Sequence, residues 1–321
     1  MRFFKTEIGA IVLWLIASLL GAALLTPYLY DAGKTLAENA STADYPSVIE
    51  SIASSAERAK PDRYFSRCLL FSAIVLLPFL IRRVRSIPPR PGSDCYALKK
   101  LSWSQRLLHL SSGIIVGASV LGILAVILNV TGASFSEGAS IPAGKFFTKA
   151  FLPALGAGVI EELVFRGLIL GLWLRACVLW KAWLGSAFLF SFVHFLKPPD
   201  GMVIADPRAW HSGFEILSST LGHFTNPEFF VTEFATLTLL GLILAYCRTK
   251  TSSLWLPIGL HAGLVFALKT FSMTQDLDPN SPLHPWFIGG DLKSGIFPLL
   301  SLALCFVICV FLVRKLSPAS R

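Results

Sequence analysis

The sequence predicts an all-α, polytopic membrane helix bundle of about eight transmembrane helices. Three observations carry that prediction. Only 15% of the residues are charged against 54% hydrophobic, where a soluble domain carries about 25% charged residues. Mean hydropathy is +0.65. Apolar runs of about 20 residues, the length that crosses roughly 30 Å of hydrocarbon, recur along the chain. Lipid cannot satisfy open backbone groups, so helices are the default for such runs.

Eight candidate spans follow in order. Residues 8–30, 107–136 and 294–313 carry no charge. Residues 64–81 are apolar apart from Arg67. Residues 150–174 hold Glu161, Glu162 and Arg166. Residues 182–196 contain His194, residues 229–247 are apolar after Glu233, and residues 251–268 contain His261. The second, fifth and sixth are short. Arg2 and Lys5 precede the first span as in a signal peptide, but its apolar stretch exceeds the roughly 7–15 residues of a signal core. It is read as a helix.

Lys and Arg set the orientation. With the N-terminus inside, the inner segments hold 16 of them and the outer segments 11. The short loop with Arg82, Arg83 and Arg85 votes most strongly. Both termini are therefore expected in the cytoplasm. Short loops and no targeting segment fit a bacterial inner membrane. Basic juxtamembrane loops on an anionic leaflet account for the net charge of +9 without any nucleic-acid partner.

The chain divides by sequence order into three parts. Residues 1–149 form N-terminal spans with an outside loop 31–63 and a basic inside loop 82–106. Residues 150–268 carry the candidate site. Residues 269–321 supply a turn-rich loop and the last span. Val48–Ala59 can form a short amphipathic helix in the first loop. Loop 197–228, with Trp210, His211 and His223, is long enough to lie over a cavity mouth. The six cysteines form no CxxC pair and read as small buried hydrophobes. No internal repeat appears, which weighs against an inverted-repeat transporter.

The span 150–174 is the informative one. Each charge at a helix centre costs about 2.5–3.5 kcal/mol on insertion scales, so three cost roughly 8–10. Its Leu, Ile, Val and Phe return only about 4–8 kcal/mol. The helix must therefore face other helices or a wet cavity. Glu162 and Arg166 are i and i+4, acid first, and suit a structural ion pair. Glu161 projects about 100° away and has no partner nearby in sequence, so it is the candidate for chemistry. Gly158, and the pair Gly167 and Gly171, allow close helix approach. Ser253 suits an N-cap for the helix of His261, with Pro257 in its first turn.

Counted from the nearest inner basic residue, Glu161, His194 and His261 all lie roughly 16–21 Å deep at 1.5 Å per residue. A carboxylate with an imidazole can activate water as a general base. A second imidazole can stabilise an oxyanion. The same trio, Glu161, His194 and His261, can alternatively ligate Zn²⁺ with an open fourth position, although no HExxH is present. A non-catalytic reading also stands, as a transporter, immunity factor or scaffold that keeps the polar cluster for structure.

The pattern Glu161-Glu162-x-x-x-Arg166, then Phe190-x-x-x-His194, then His261 in a later helix resembles the type II CAAX prenyl endopeptidases and their bacterial relatives. These are also called the CPBP or Abi intramembrane proteases. The resemblance covers roughly residues 150–268, about a third of the chain. It implies an eight-helix bundle with a peptidase site inside the membrane and a membrane-associated peptide or protein as substrate. It assigns Glu161 as general base, His194 to position the water and His261 to the oxyanion. Glu162 and Arg166, with Phe190, would support the site or contact substrate. The family is called a metalloprotease in some usage. One departure stands out: Val265 occupies the position, four after His261, where the family often has Asn.

Overall fold

The computed structural model describes residues 6–40, 46–136, 138, 141–196, 198, 202–225, 233–283, 292 and 295–316, without the side chains of Asp94 and His223. Much of loop 272–293, including Pro285, Gly289 and Gly290, lies outside the described residues, as do 226–232. The described chain is an all-α membrane helix bundle. Each of the eight apolar segments contains helix over most of its described length. Five helices are long and apolar enough to cross a membrane by length and composition: Glu7–Ala40, Pro61–Arg85, Trp103–Val130, Trp255–Thr274 and Ile296–Leu316. The other three segments are shorter or carry the site's charges.

Two compact units divide the chain. The first comprises residues 1–88 and 192–227, the second 89–191 and 228–321.

In the first unit, α1 (Glu7–Ala40) and α3 (Pro61–Arg85) run antiparallel, joined through α2 (Ser47–Arg58). Trp14 Nε1 donates to the Ala73 carbonyl at 3.0 Å, and Tyr30 meets Tyr64 edge to face. The expected loop 31–63 is thus largely helical. α1 continues past its apolar stretch, and α2 places Ala53 and Ala56 inward. The segment 197–228 also differs from a loop. It contains a helix, Ser212–Gly222 (α7 below), whose Gly213 lies against the Ala23 backbone so closely that a Cβ would collide. Ile216 and Leu217 join Ala22, Ala23, Phe65 and Cys68 in one apolar core.

In the second unit, α4 (Trp103–Val130) begins with a reciprocal cap. Ser102 Oγ accepts from the Gln105 backbone N–H, and Gln105 Oε1 accepts from that of Ser102. α5 runs over 143–176 as one helix with three wide, π-helical stretches, Phe147–Phe151, Ala157–Glu161 and Leu163–Ile169. Such insertions recur at functional sites. α6 is Leu179–His194, α8 is Ala235–Thr251, α9 is Trp255–Thr274 and α10 is Ile296–Leu316. Ser252, at φ 51°, makes the tight reversal between α8 and α9.

α4 and α9 run parallel and interlock through four glycines. A Cβ at Gly113 or Gly117 would strike the backbone of residues 256–264. One at Gly259 or Gly263 would strike the backbone of 110–118. Two small-xxx-small faces here let two backbones touch. An antiparallel two-residue ribbon, Ser134–Phe135 (β1) with Asp276–Leu277 (β2), ties the far ends of α4 and α9. α5 runs antiparallel to α9, with Phe146 against Phe266 at one end and Gly158 against Ile258 and Ala262 further along. α6 and α8 are antiparallel too, with Ala187 on Gly241 and Trp183 Nε1 donating to Thr249 Oγ1. These directions are those that successive membrane crossings require.

Candidate active site

The site forms where α5 crosses α9. Gly158 is the reason the crossing is close. A Cβ there would stand 2.8 Å from the Ala262 Cβ and 2.9 Å from the Ile258 carbonyl oxygen. Without one, the turn carrying Glu161 and Glu162 comes down onto His261. Gly167 and Gly171 do not share this role. A Cβ at Gly167 would only touch the end of Leu254, and at Gly171 it would meet nothing within 4 Å. The expected close approach at that pair is therefore absent; this stretch of α5 packs instead through Leu170 and Leu174 against Ala182 and Ala245.

Glu162 is fully buried. Its Oε1 accepts from Arg166 Nη1 at 2.8 Å. The same oxygen lies 2.8 Å from His261 Nδ1. A carboxylate only accepts, so Nδ1 carries the proton and donates it. The other ring nitrogen, Nε2, faces Glu161 Oε2 at 3.9 Å. One imidazole thus stands between two neighbouring carboxylates that diverge round the helix. Glu162 is the buried anchor. Glu161, whose side chain is 31% exposed, is the more accessible of the two. A separation of 3.9 Å is too long for a direct hydrogen bond.

Arg166 is held on three sides. Besides Glu162 it makes a long 3.5 Å contact to the Gly241 carbonyl. Its guanidinium carbon sits 4.2 Å from the Phe190 ring centroid. That stacking compensates a buried cation by about 0.5–2 kcal/mol. Phe190 also meets Phe165 and His261 edge to face, at 5.0 and 6.0 Å. Ser191, one residue on, is hydrogen-bonded to Thr238 at 2.9 Å and clamps α6 to α8.

The structure therefore brings together Glu161, Glu162, Arg166, Phe190 and His261, all in the second unit. His194 is the last residue of α6, one turn beyond Phe190, exposed and assigned to the first unit. Val265 lies one turn beyond His261 and is half-buried. Phe165, Gly241 and the glycines of α4 and α9 went unnoticed in the sequence. The spacings Gly113-xxx-Gly117 and Gly259-xxx-Gly263 were the signal that could have found the latter. Leu254, not the expected Ser253, holds the N-cap position of α9; Ser253 lies one residue earlier, its Oγ accepting from the Trp255 N–H at 3.2 Å.

A zinc centre needs three protein donors converging at about 2.0–2.2 Å. Glu161 and His261 Nε2 could reach one ion together. Among the described residues, however, no group of three His, Cys, Asp or Glu is placed to hold a metal. Glu162 Oε1 is already engaged by Arg166 and His261. The side chains as arranged do not make a zinc centre.

A helix bundle built to cross lipid, with a carboxylate–imidazole–carboxylate cluster at a helix crossing, defines a membrane-embedded site for acid–base chemistry. Residues 143–267 match the family described as type II CAAX prenyl endopeptidase Rce1-like. That segment is an Rce1-like domain of the CPBP kind. It spans less than half of the 321 residues and contains every site residue named above. That family is one of CAAX-type intramembrane endopeptidases, and the membrane-spanning helices make the chain an integral membrane protein. No curated protein and no solved structure matches the chain.

Proposed function

We propose that this chain is an intramembrane endopeptidase that hydrolyses a peptide bond of a membrane-associated protein or peptide. The observation that carries the reading is His261 suspended between Glu162 and Glu161. A water on the accessible part of the Glu161 carboxylate, beside His261, is the nucleophile. Glu161 takes its proton as the water oxygen adds to the scissile carbonyl carbon. On this proposal His261 enters as the imidazolium, with a second proton on Nε2 taken from solvent before the reaction; the oxyanion so formed accepts from that Nε2–H, and Glu162 balances the ring's charge across Nδ1–H. Glu161 then returns the proton to the leaving nitrogen as the C–N bond breaks. His194 enters through the family pattern as the residue that positions the water. Glu162, Arg166 and Phe190 position the imidazole. Prenylated CAAX tails are one substrate class for the family. The protein sits, on this proposal, in a bacterial inner membrane with both termini inside.

The test is cleavage of a membrane-proteome or peptide library by purified protein in liposomes. Glu161→Gln should lower the rate by about 10²–10⁴, with unfolding unchanged. Equal rates would sink the assignment. Val265 favours a second reading, a non-catalytic multi-pass protein. A missing oxyanion donor costs about 10²–10³ in rate. Val265→Asn should then accelerate cleavage, and a well-folded wild type and Val265→Asn variant that both cut nothing would establish the second reading.

A further inference from the structure

The parallel helices α4 and α9 begin at the same end of the second unit, and an arginine is fixed between their first turns. Arg106 Nε donates to the Leu101 carbonyl at 3.0 Å. The guanidinium carbon stands 6.0 Å from the ring centroids of both Trp103 and Trp255, at the outer reach of cation–π attraction. One carbonyl and two indoles, one on each helix, thus orient the group. With Nε engaged, the two Nη groups form the free edge of the fork. They make no bond among the described residues, and unlike the Nε of Arg90 and Arg248 they are not sealed from the surface.

This cation has no anion. Residues 95–136 and 234–275, which contain both helices, include no Asp or Glu. Lys99 and Lys100 are exposed and add positive charge. The Lys99 backbone N–H donates to the Ser252 carbonyl at 2.9 Å, which fixes this stretch beside the start of α9. Trp103 is 66% exposed, and Leu107 and Leu108, just beyond Arg106, are 49% and 54% exposed. Leucines so exposed on a membrane-spanning helix meet hydrocarbon. Arg106 and its indoles therefore stand at the depth of the lipid headgroups, where tryptophan collects.

We infer that Arg106, clamped between Trp103 and Trp255, binds the phosphodiester of an anionic phospholipid whose acyl chains run along Leu107 and Leu108. The two Nη groups suit two phosphate oxygens side by side. Lys99 and Lys100 repel a headgroup that carries its own cation, so a phosphatidylglycerol-type lipid is selected over phosphatidylcholine. The selection lies in one oriented guanidinium and goes beyond the general attraction of basic loops to a charged leaflet.

The experiment titrates the full protein in detergent micelles with phosphatidylglycerol or phosphatidylcholine and counts retained lipid by native mass spectrometry. The wild type should prefer phosphatidylglycerol by about fivefold or more, the effect of a basic residue on an anionic lipid. Arg106→Gln should abolish that preference. Arg106→Lys, which keeps the charge and loses the fork, should fall between the two with an unchanged unfolding transition. Arg314→Gln, at an exposed arginine beside Phe311 on α10, should leave the preference intact. Equal retention of the two lipids by the wild type, or equal losses at Arg106→Gln and Arg314→Gln, would overturn the site. Release of phosphatidylglycerol by millimolar inorganic phosphate would overturn the lipid as its occupant. None of these readouts depends on peptidase activity.

Discussion

Two ion pairs of the same chemistry sit in opposite surroundings. In the second unit, Arg166 and Glu162 pair with side chains 3% and 0% exposed. In the first, Arg208 pairs with Asp31 at 2.9 Å and Glu38 at 3.2 Å, with all three side chains about half exposed or more. Exposed pairs contribute about 0.2–1 kcal/mol. A buried pair gives little net stability, since an apolar replacement of both partners often serves as well, yet breaking it by removing one partner costs about 3–5 kcal/mol. Stability alone therefore does not explain Arg166 and Glu162. What explains them is His261, which Glu162 holds by Nδ1. The exposed pair has only to hold the α7 segment against α1.

The largest break in that comparison is Arg166→Leu. It leaves Glu162 buried with its charge uncompensated, and should lower stability in detergent by about 3–5 kcal/mol, read from denaturant unfolding. Glu162→Leu combined with Arg166→Leu should recover most of that loss but none of the peptidase activity, because His261 then has no anchor. A double variant as unstable as the single one would show that the pair carries stability itself.

Gly158 sharpens the comparison next. A leucine there must push α5 off α9, and overpacking of this kind costs about 1–3 kcal/mol. Gly171→Leu, on the same helix where a Cβ meets nothing, should stay within about 0.5 kcal/mol. Equal losses at the two positions would mean that Gly158 does not set the crossing.

The same contrast shows what was legible in the sequence. Each apolar run was long enough to identify a helix, and the i, i+4 spacing gave the Glu162–Arg166 pair before any tertiary contact was known. The insertion cost of three charges in one span showed that α5 must face protein. The bond from His261 to Glu162 was not legible, because it joins residues 99 apart and depends on one glycine allowing two backbones to approach. Depth counting brought Glu161 and His261 to one level but could not say which carboxylate would take Nδ1. The extension of α1 to Ala40 lies in polar sequence, and the helix Ser212–Gly222, at 11 residues, is too short to read as a span. There, helix formation rests on packing against α1 and α3 rather than on hydropathy, so loops were expected. The wide turns of α5 have no signal in spacing at all.

Phe190 tests how the buried cation is accommodated. Phe190→Leu keeps an apolar side chain but removes the ring 4.2 Å from the Arg166 guanidinium. The coupling between Phe190→Leu and Arg166→Met in a double-mutant cycle should be about 0.5–2 kcal/mol. A coupling near zero would mean that the ring merely fills space.

The smallest effect belongs to the exposed pair. Arg208→Ala should lower stability by about 0.2–1 kcal/mol. That loss should shrink when salt is raised to 1 M, where the screening length falls to about 3 Å. The loss at Arg166→Leu should keep most of its size in the same salt series, since a buried pair is screened much less. Because Gly213 rests directly on the Ala23 backbone and Ile216 is fully buried in the same core, α7 should remain docked without Arg208. A loss above about 2 kcal/mol, insensitive to salt, would assign the hold on α7 to the ions rather than to that close apolar contact, and the two pairs would no longer differ in kind.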